Sequence, residues 1–338
     1  MRRYEVFPDN IDSPLQQASF DPAPLGETEV AVAIKAVSLN FRDILVTRNT
    51  YFAPISGGLV PCSDGAGEVV AVGSQVQGLA VGDRVATLFF PHWQSGKPDA
   101  RALSDARGAE SAGAFTERFV SDESGLIKLP DGLSYAEGAT LPCAAVTAWN
   151  SLFEAGELKP GQTVLLLGTG GVSIFALQFA KAAGAKVIIT SSDDAKLERA
   201  RVLGADHGIN YRRHPEWHEE VLRLTGGQGV DVVLEVGGPG TLERSLMSVA
   251  TGGRIAYIGV LTGLAGAANP VMLIPKASSI QGIFVGSRAM FADMLQAIQT
   301  HVIHPVIDRE FAFADAPAAL EYMKSGSHFG KIVVRVGD

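Results

Sequence analysis

The stretch TVLLLGTGGVSIFAL, residues 163–177, decides the fold of this chain. Strand-forming apolar residues precede Gly168, Gly170 and Gly171, and apolar residues then recur at helical spacing. Such a turn directs the free N–H groups of a helix N-terminus at a phosphate. The usual dinucleotide fingerprint has a third glycine or alanine where this chain has Ser173, which is nearly as small as alanine. The stretch predicts a phosphate-binding turn, and an ordinary tight turn is the alternative.

Strand and helix patterns alternate downstream of this turn. Because helices separate most of the strands, neighbouring strands are expected to run parallel, in a doubly wound α/β sheet. We predict strands at 163–168, 186–190, 208–211, 230–236, 253–259 and 280–285, and helices at 171–183, 193–203, 216–225 and 240–249.

Residues 1–130 follow a different pattern, in which short strands such as EVAVAIKAV (29–37) are separated by Gly and Pro turns. The closing segment KIVVRV (331–336) resembles these strands in composition, so we expect it to rejoin them. The prediction is a β-rich domain made of residues 1–130 and 290–338. A doubly wound domain, residues 131–289, is inserted into it.

Composition restricts the class of protein. The chain has 338 residues, 46% hydrophobic and 19% charged, which suits two folded domains. A net charge of −8 with scattered Lys and Arg argues against a nucleic-acid partner. The two cysteines, Cys62 and Cys143, are too few for a disulfide framework or a four-thiolate zinc site. No segment resembles a signal peptide or a membrane span, so we expect a cytoplasmic protein with no membrane partner.

The end of the second α/β strand indicates which dinucleotide is bound. An NAD site usually places an acidic side chain there, on the ribose 2′-OH. Here Ser191 and Ser192 hold that place, Lys196 follows one helical turn later, and the next strand ends in Tyr211 with two arginines behind it. Hydroxyls and cations suit a 2′-phosphate, so NADP(H) is favoured over NAD(H). The alternative is that Asp193 turns onto a 2′-OH.

Motifs spread over the whole chain resemble one known family. They are VGDRVA, LPCAAVTAWNSL, GTGGVS, LGADHGINY and FGKIVV. They are similar to those of the medium-chain dehydrogenase/reductase superfamily, in particular its zinc-independent quinone oxidoreductase-like branch. The resemblance implies a split GroES-like domain around a Rossmann domain, with substrate and nicotinamide in the cleft between them. It also implies a homodimer joined through the Rossmann sheets.

The zinc enzymes of this superfamily bind catalytic zinc with a cysteine, the histidine of a GHE motif and a second cysteine. The matching positions here are Asn40, the segment Cys62-Ser63-Asp64, and Cys143. Only Cys143 keeps a ligand type, whereas a catalytic zinc needs three protein ligands. The loop that would hold structural zinc, 89–113, has no cysteine. The resemblance therefore implies an enzyme without zinc.

The missing metal narrows the chemistry. A simple alcoholate is hard to stabilise without a Lewis acid. A quinone or an α,β-unsaturated carbonyl is already electrophilic, and conjugation spreads the charge left after hydride addition, so a few hydrogen-bond donors suffice. The expected activity is hydride transfer from NADPH to a quinone or an enone.

Three residues are candidates for catalysis on the strength of the resemblance. Asn40 is a donor to a substrate oxygen, Arg42 stabilises an enolate, and Tyr51 donates a hydrogen bond or proton. Asn40 is equally suited to cap a helix that begins at Phe41, and Tyr51 to wall an apolar pocket. The predicted coenzyme site comprises Thr147, Gly168, Gly170, Gly171, Val172, Ser173, Ser191, Ser192, Lys196, Tyr211, Gly237, Val260, Phe284, Val285, Gly330 and Lys331.

Phenylalanines near these residues predict a small, apolar, electrophilic substrate. Two other functions stay open. One is a metal-free NAD(P)-dependent alcohol or ketone oxidoreductase in which Tyr51 or His92 is the acid/base. The other is a non-catalytic, crystallin-like NADPH-binding protein.

Overall fold

The computed structural model describes residues 1–52 and 54–337, which fold into two compact units. Unit 1 consists of residues 1–146 and the chain from residue 286 on, and unit 2 consists of residues 147–285. The sequence predicts an inserted domain of residues 131–289, and these bounds come from the change of sequence pattern alone.

The strands are numbered along the chain. They are β1 (Arg2–Val6), β2 (Leu15–Ser19), β3 (Glu29–Leu39), β4 (Asp64–Val72), β5 (Arg84–Thr87), β6 (Arg118–Asp122), β7 (Leu126–Lys128), β8 (Thr163–Leu166), β9 (Lys186–Ser191), β10 (His207–Asn210), β11 (Val230–Glu235), β12 (Val249–Tyr257), β13 (Ser279–Gly282), β14 (Ile307–Phe311) and β15 (Lys331–Arg335).

The helices are numbered in the same way. They are α1 (Phe41–Thr47), α2 (Tyr135–Ala139), α3 (Val146–Trp149), α4 (Gly171–Ala182), α5 (Asp194–Val202), α6 (Trp217–Leu224), α7 (Pro239–Ser248), α8 (Arg288–Thr300) and α9 (Ala316–Lys324). No helix within residues 1–52 and 54–337 is long and apolar enough to cross a bilayer.

Unit 2 contains a parallel sheet with strand order β10-β9-β8-β11-β12-β13. The chain starts at β8 in the middle, runs outward through β9 and β10, and returns to the other side through β11. Ligands of such sheets bind where the order reverses, outside the carboxyl ends of the central strands. The doubly wound Rossmann fold predicted from the alternation is confirmed. The last strand ends at Gly282, short of the predicted residue 285.

Unit 1 is built on a sheet of order β14-β15-β3-β4-β5-β7, with β6 also paired to β3. The closing strand β15 pairs antiparallel with β3, so it rejoins the early strands as its composition predicts. Helix α2 packs on β3 and β4, which explains why unit 1 extends beyond residue 130. A capping box begins this helix, because the Ser134 hydroxyl accepts the Glu137 N–H at 3.2 Å and the Glu137 carboxylate accepts the Ser134 N–H at 2.8 Å. Pro142 lies in the π-helical turn Leu141–Ala145 that follows.

Candidate functional site

The glycine turn after β8 has the geometry of a phosphate site. Gly168 has φ +71°, a left-handed conformation that favours glycine, and its N–H donates to the Thr190 hydroxyl at 3.1 Å. Gly170 is the N-cap of α4, which begins at Gly171. A Cβ at Gly170 would meet nothing within 4 Å, so the space beside this helix N-terminus is open. These residues fit a dinucleotide phosphate.

Ser173, which replaces the third glycine of the fingerprint, is buried in the first turn of α4. Its hydroxyl donates to the Leu167 carbonyl at 2.7 Å and so ties the helix to the end of β8. Val172 beside it is half-buried. The serine therefore preserves the close helix–strand packing for which the third glycine normally stands.

The acidic side chain that follows β9 is hydrogen-bonded to the backbone. The Asp193 carboxylate caps α5, accepting the N–H of Ala195 at 2.7 Å and of Lys196 at 3.2 Å. Ser191 is buried and Ser192 half-buried. The N–H of Tyr211 donates to the Ser191 carbonyl at 3.0 Å, which brings its exposed side chain to the same edge.

Other residues of the predicted coenzyme site lie at further ends of unit 2 strands. Gly237 and Val260 follow the neighbouring strands β11 and β12, and the Gly237 carbonyl accepts a backbone N–H at 2.8 Å. Phe284 is partly exposed, while Val285 is buried and its carbonyl accepts the Asn150 amide at 2.7 Å. Thr147 is buried in α3.

A buried carboxylate that the sequence analysis missed organises the turn after β11. Glu235 accepts the N–H of Gly237 at 2.8 Å, the N–H of Gly238 at 2.9 Å and the Thr241 hydroxyl at 2.6 Å, as well as the Ser245 hydroxyl. Burial raises its pKa, and these donors act in the opposite direction. The sequence feature that could have indicated this role is a lone glutamate inside the apolar run VVLEVGG.

The lysine predicted as a coenzyme contact lies inside unit 1. Lys331 is only 2% exposed, and its ammonium donates to the Leu39 carbonyl at 2.7 Å and to Asn40 Oδ1 at 2.5 Å. The carboxylate of Asp64 lies 3.8 Å away. The preceding residue, Gly330, has φ +81°, and a Cβ there would lie 2.4 Å from the Val306 carbonyl oxygen. The backbone conformation and this close approach are therefore enough to explain the glycine, without any contact to a coenzyme.

Asp64 is the anionic partner of this lysine. Its carboxylate accepts the Ser63 hydroxyl at 2.7 Å and the Cys143 backbone N–H at 3.3 Å. Burial raises the pKa of Asp64, and the Lys331 ammonium lowers it. We call Asn40, Ser63, Asp64, Cys143 and Lys331 the lysine cluster.

Asn40 and Asp43 form the start of helix α1. The Asp43 carboxylate accepts the Asn40 N–H at 2.8 Å, while the Asn40 side chain turns to Lys331. The predicted substrate donor is thus engaged within the protein. Asp43 is 3% exposed, and burial raises its pKa from 3.8 to about 6.

Asp43 predicts a pH-dependent stability. Because the folded state holds the Asp43 proton more tightly than the unfolded chain, the contribution of this group to stability is fully present below pH 4 and is lost as pH rises through about 6. The shift corresponds to about 3 kcal/mol of unfolding free energy. Asp43→Asn should remove this part of the slope while keeping an oxygen acceptor for the Asn40 N–H. Urea unfolding of both proteins from pH 4 to 7 measures it, and parallel profiles would contradict the assignment.

Arg42 is held between two aromatic rings. Its guanidinium carbon lies 4.6 Å from the ring centroid of Tyr51 and 4.7 Å from that of Phe89, and Nη1 donates to the Arg107 carbonyl. Within residues 1–52 and 54–337, Nε and Nη2 of Arg42 have no hydrogen-bond partner. A buried cation with unused donors is suited to meet a developing negative charge.

Tyr51 completes this group. Its side chain is half-buried, and burial raises the pKa of its hydroxyl to about 12, against the opposing effect of Arg42. The phenol therefore keeps its proton at neutral pH. Burial also raises the pKa of the Cys143 thiol, which therefore stays neutral at pH 7. His92, the alternative acid/base, pairs with Asp105 at 2.9 Å, and both side chains are exposed.

Comparisons with known proteins agree with this architecture. Residues 26–131 match the alcohol dehydrogenase GroES-like domain, and residues 171–300 match the zinc-binding dehydrogenase family model. A zinc-type alcohol dehydrogenase-like protein of Schizosaccharomyces pombe is 45% identical over 321 residues, which cover 93% of each chain. The chain belongs to the medium-chain dehydrogenase/reductase superfamily. It is therefore an oxidoreductase, as its motifs predicted.

Quinone oxidoreductases are among its relatives. One from Pseudomonas aeruginosa is 34% identical over 316 residues, which cover 90% of each chain. The crystal structure of Escherichia coli quinone oxidoreductase complexed with NADPH has a TM-score of 0.84 at 26% identity, over 99% of this chain and 100% of that one.

Zinc, which one matching family model names, does not fit the residues present. Asn40 and Ser63, which the resemblance places at two zinc-ligand positions, are engaged with Lys331 and Asp64. A buried ammonium in this place repels a second cation. In the part of the chain that the structure describes, no group of three or more His, Cys, Asp and Glu side chains is arranged to hold a metal.

Proposed function

We propose that this protein transfers hydride from NADPH to a quinone or an α,β-unsaturated carbonyl without zinc. The observation that carries the proposal is the Lys331 ammonium, buried among Asn40, Ser63, Asp64 and Cys143. The resemblance places the metal ligands of the superfamily's zinc enzymes at Asn40, within the segment Cys62-Ser63-Asp64 and at Cys143. With a protein cation there, a conjugated acceptor is the substrate class that needs no Lewis acid.

The coenzyme part of the proposal rests on unit 2. The open turn at Gly168 and Gly170 would hold the pyrophosphate, and the coenzyme supplies the hydride when it is bound. Preference for NADP(H) is supported by the Asp193 carboxylate, which is committed to the N-terminus of α5. Ser191, Ser192, Lys196 and Tyr211 would then face a 2′-phosphate.

The acceptor part rests on Arg42 and Tyr51. The N–H groups of the two unpartnered nitrogens of Arg42, Nε and Nη2, would stabilise the oxygen on which negative charge develops. The Tyr51 hydroxyl, whose pKa is raised by burial, stays protonated and would donate to the same charge. The apolar rings of Tyr51 and Phe89 suit a small, apolar acceptor better than a charged one.

One assay tests the function. NADPH or NADH is mixed with the pure protein and a quinone, an enone or an aliphatic ketone, with and without a zinc chelator, and reduced-coenzyme absorbance is followed. We expect NADPH oxidation with quinone or enone, unchanged by chelator. Turnover of the ketone alone would instead indicate an alcohol or ketone oxidoreductase. NADPH binding without turnover would indicate a crystallin-like protein, and chelator-sensitive turnover would overturn the metal-free proposal.

We also propose a homodimer joined through the unit 2 sheet. All four residues of the edge strand β13 are exposed, so its outer hydrogen-bonding groups are available to a second copy. Leu264, Val271 and Ile274, which precede this strand, are exposed apolar residues that a partner would cover. Analytical ultracentrifugation should give twice the chain mass of 35.5 kDa, whereas a monomer at all concentrations would contradict the proposal.

A further inference from the structure

The ammonium of Lys331 is held by partners within unit 1 on all sides that the structure defines. It has three N–H donors. Two of them are used by the Leu39 carbonyl and Asn40 Oδ1, at 2.7 and 2.5 Å, and the third side faces Asp64 at 3.8 Å. With only 2% of the residue exposed, the charge acts within unit 1.

The lysine cluster joins four separate segments of the chain. Lys331 begins β15, Asn40 precedes α1, Asp64 begins β4, and Cys143 lies in the π-helical turn Leu141–Ala145. Helix α1 carries Arg42 two residues after Asn40, and the Arg42 guanidinium carbon lies 4.6 Å from the ring centroid of Tyr51. The segments that carry the candidate catalytic groups thus share one buried ion pair.

We propose that Lys331 is a positioning residue, whose buried ammonium holds the turn before α1 and the turn at Cys143 in place for catalysis, rather than a coenzyme contact. The part of this inference that concerns turnover rests on the proposed reductase function. The part that concerns the order of the cluster does not.

The ion pair gives the proposal its first test. Removing one member of a buried pair leaves the other charge uncompensated, which is far more costly than replacing both. Lys331→Met alone should raise the unfolding equilibrium constant about a hundredfold or more. The double variant Lys331→Met/Asp64→Asn should recover most of that loss. The matched control is the partly exposed pair Lys128–Asp83, 2.8 Å apart. Its variants Lys128→Met and Asp83→Asn should change the unfolding equilibrium constant little.

The second test measures how well the lysine cluster is held in place, and it needs no substrate. The chain has two cysteines; Cys62 is fully buried and Cys143 is partly exposed, so a disulfide reagent such as DTNB reports on Cys143. In the double variant the Cys143 turn loses the buried ion pair behind it and keeps only a neutral amide acceptor at position 64. Its thiol should therefore react about tenfold faster or more, although stability has returned. A rate equal to that of the wild type would overturn the proposal. Cys143→Ser confirms the origin of the signal.

Turnover and coenzyme binding complete the experiment. For the double variant we expect kcat to fall about tenfold or more while the NADPH dissociation constant stays within about twofold. Weaker NADPH binding with unchanged kcat would overturn the proposal in favour of a coenzyme contact, and wild-type kcat would show that the pair only stabilises the fold. If the wild type reduces no acceptor, the proposed function fails, and the thiol rate alone decides the role of Lys331.

Discussion

Replacing Gly170 by aspartate is expected to abolish NADPH binding without unfolding the protein. The new side chain would enter the open space beside the N-terminus of α4, where no atom lies within 4 Å of the added Cβ. Its carboxylate would occupy the region proposed for the coenzyme pyrophosphate. Like charges about 4 Å apart near a protein surface repel by roughly 4 kcal/mol, so the dissociation constant should rise by about a hundredfold or more.

The fold should tolerate this change for two reasons. Gly170 has φ −80°, which any residue adopts, and aspartate is a favourable N-cap. Gly170→Asn is the matched control, because asparagine has nearly the same shape, caps equally well and carries no charge. Fluorescence titration with NADPH measures the affinity, and thermal unfolding measures the stability. If the aspartate variant binds NADPH as tightly as the asparagine variant, the turn is not the phosphate site.

Tyr51→Phe should impair enone reduction more than quinone reduction. Hydride addition to an enone leaves an enolate, which needs a hydrogen-bond donor and then a proton. A reduced quinone leaves a phenolate that solvent protonates readily. Because burial raises the pKa of the Tyr51 hydroxyl to about 12, the group is a donor throughout the working pH range. We expect kcat/KM for the enone to fall about a hundredfold, the usual contribution of a positioned acid.

The control for this variant is Tyr135→Phe. Tyr135 is also in unit 1, but its hydroxyl donates to Glu68 at 3.4 Å. It is not one of the two aromatic residues, Tyr51 and Phe89, that hold Arg42. Both variants remove one hydroxyl and keep the ring, so loss of packing is the same in kind. Steady-state rates with saturating NADPH measure the effect. Equal decreases in kcat/KM for quinone and enone, or no decrease, would show that Tyr51 only lines the pocket.

Segment 94–113 combines a loop-like composition with buried positions. Its polar, Gly- and Ala-rich composition is typical of a mobile surface loop, yet Ala106 and Ala109 are buried. A Cβ at Gly108 or Gly113 would lie within 2.5 Å of the backbone of Cys62, so these glycines allow the segment to pack on the start of β4. Small residues can mark a close backbone approach as readily as a flexible loop.

The sequence by itself determined the strands and helices of unit 2, the glycine turn and the superfamily. These features depend on residues near one another in the chain, through hydrophobic periodicity, the conformational freedom of glycine and the capping of helix ends. Only the tertiary structure decided the place of Lys331, because its partner Asn40 lies 291 positions away and no local pattern links them. The motif FGKIVV predicts a coenzyme contact, which stays a prediction. A buried ammonium takes the partners that desolvation requires, and the structure places these in unit 1.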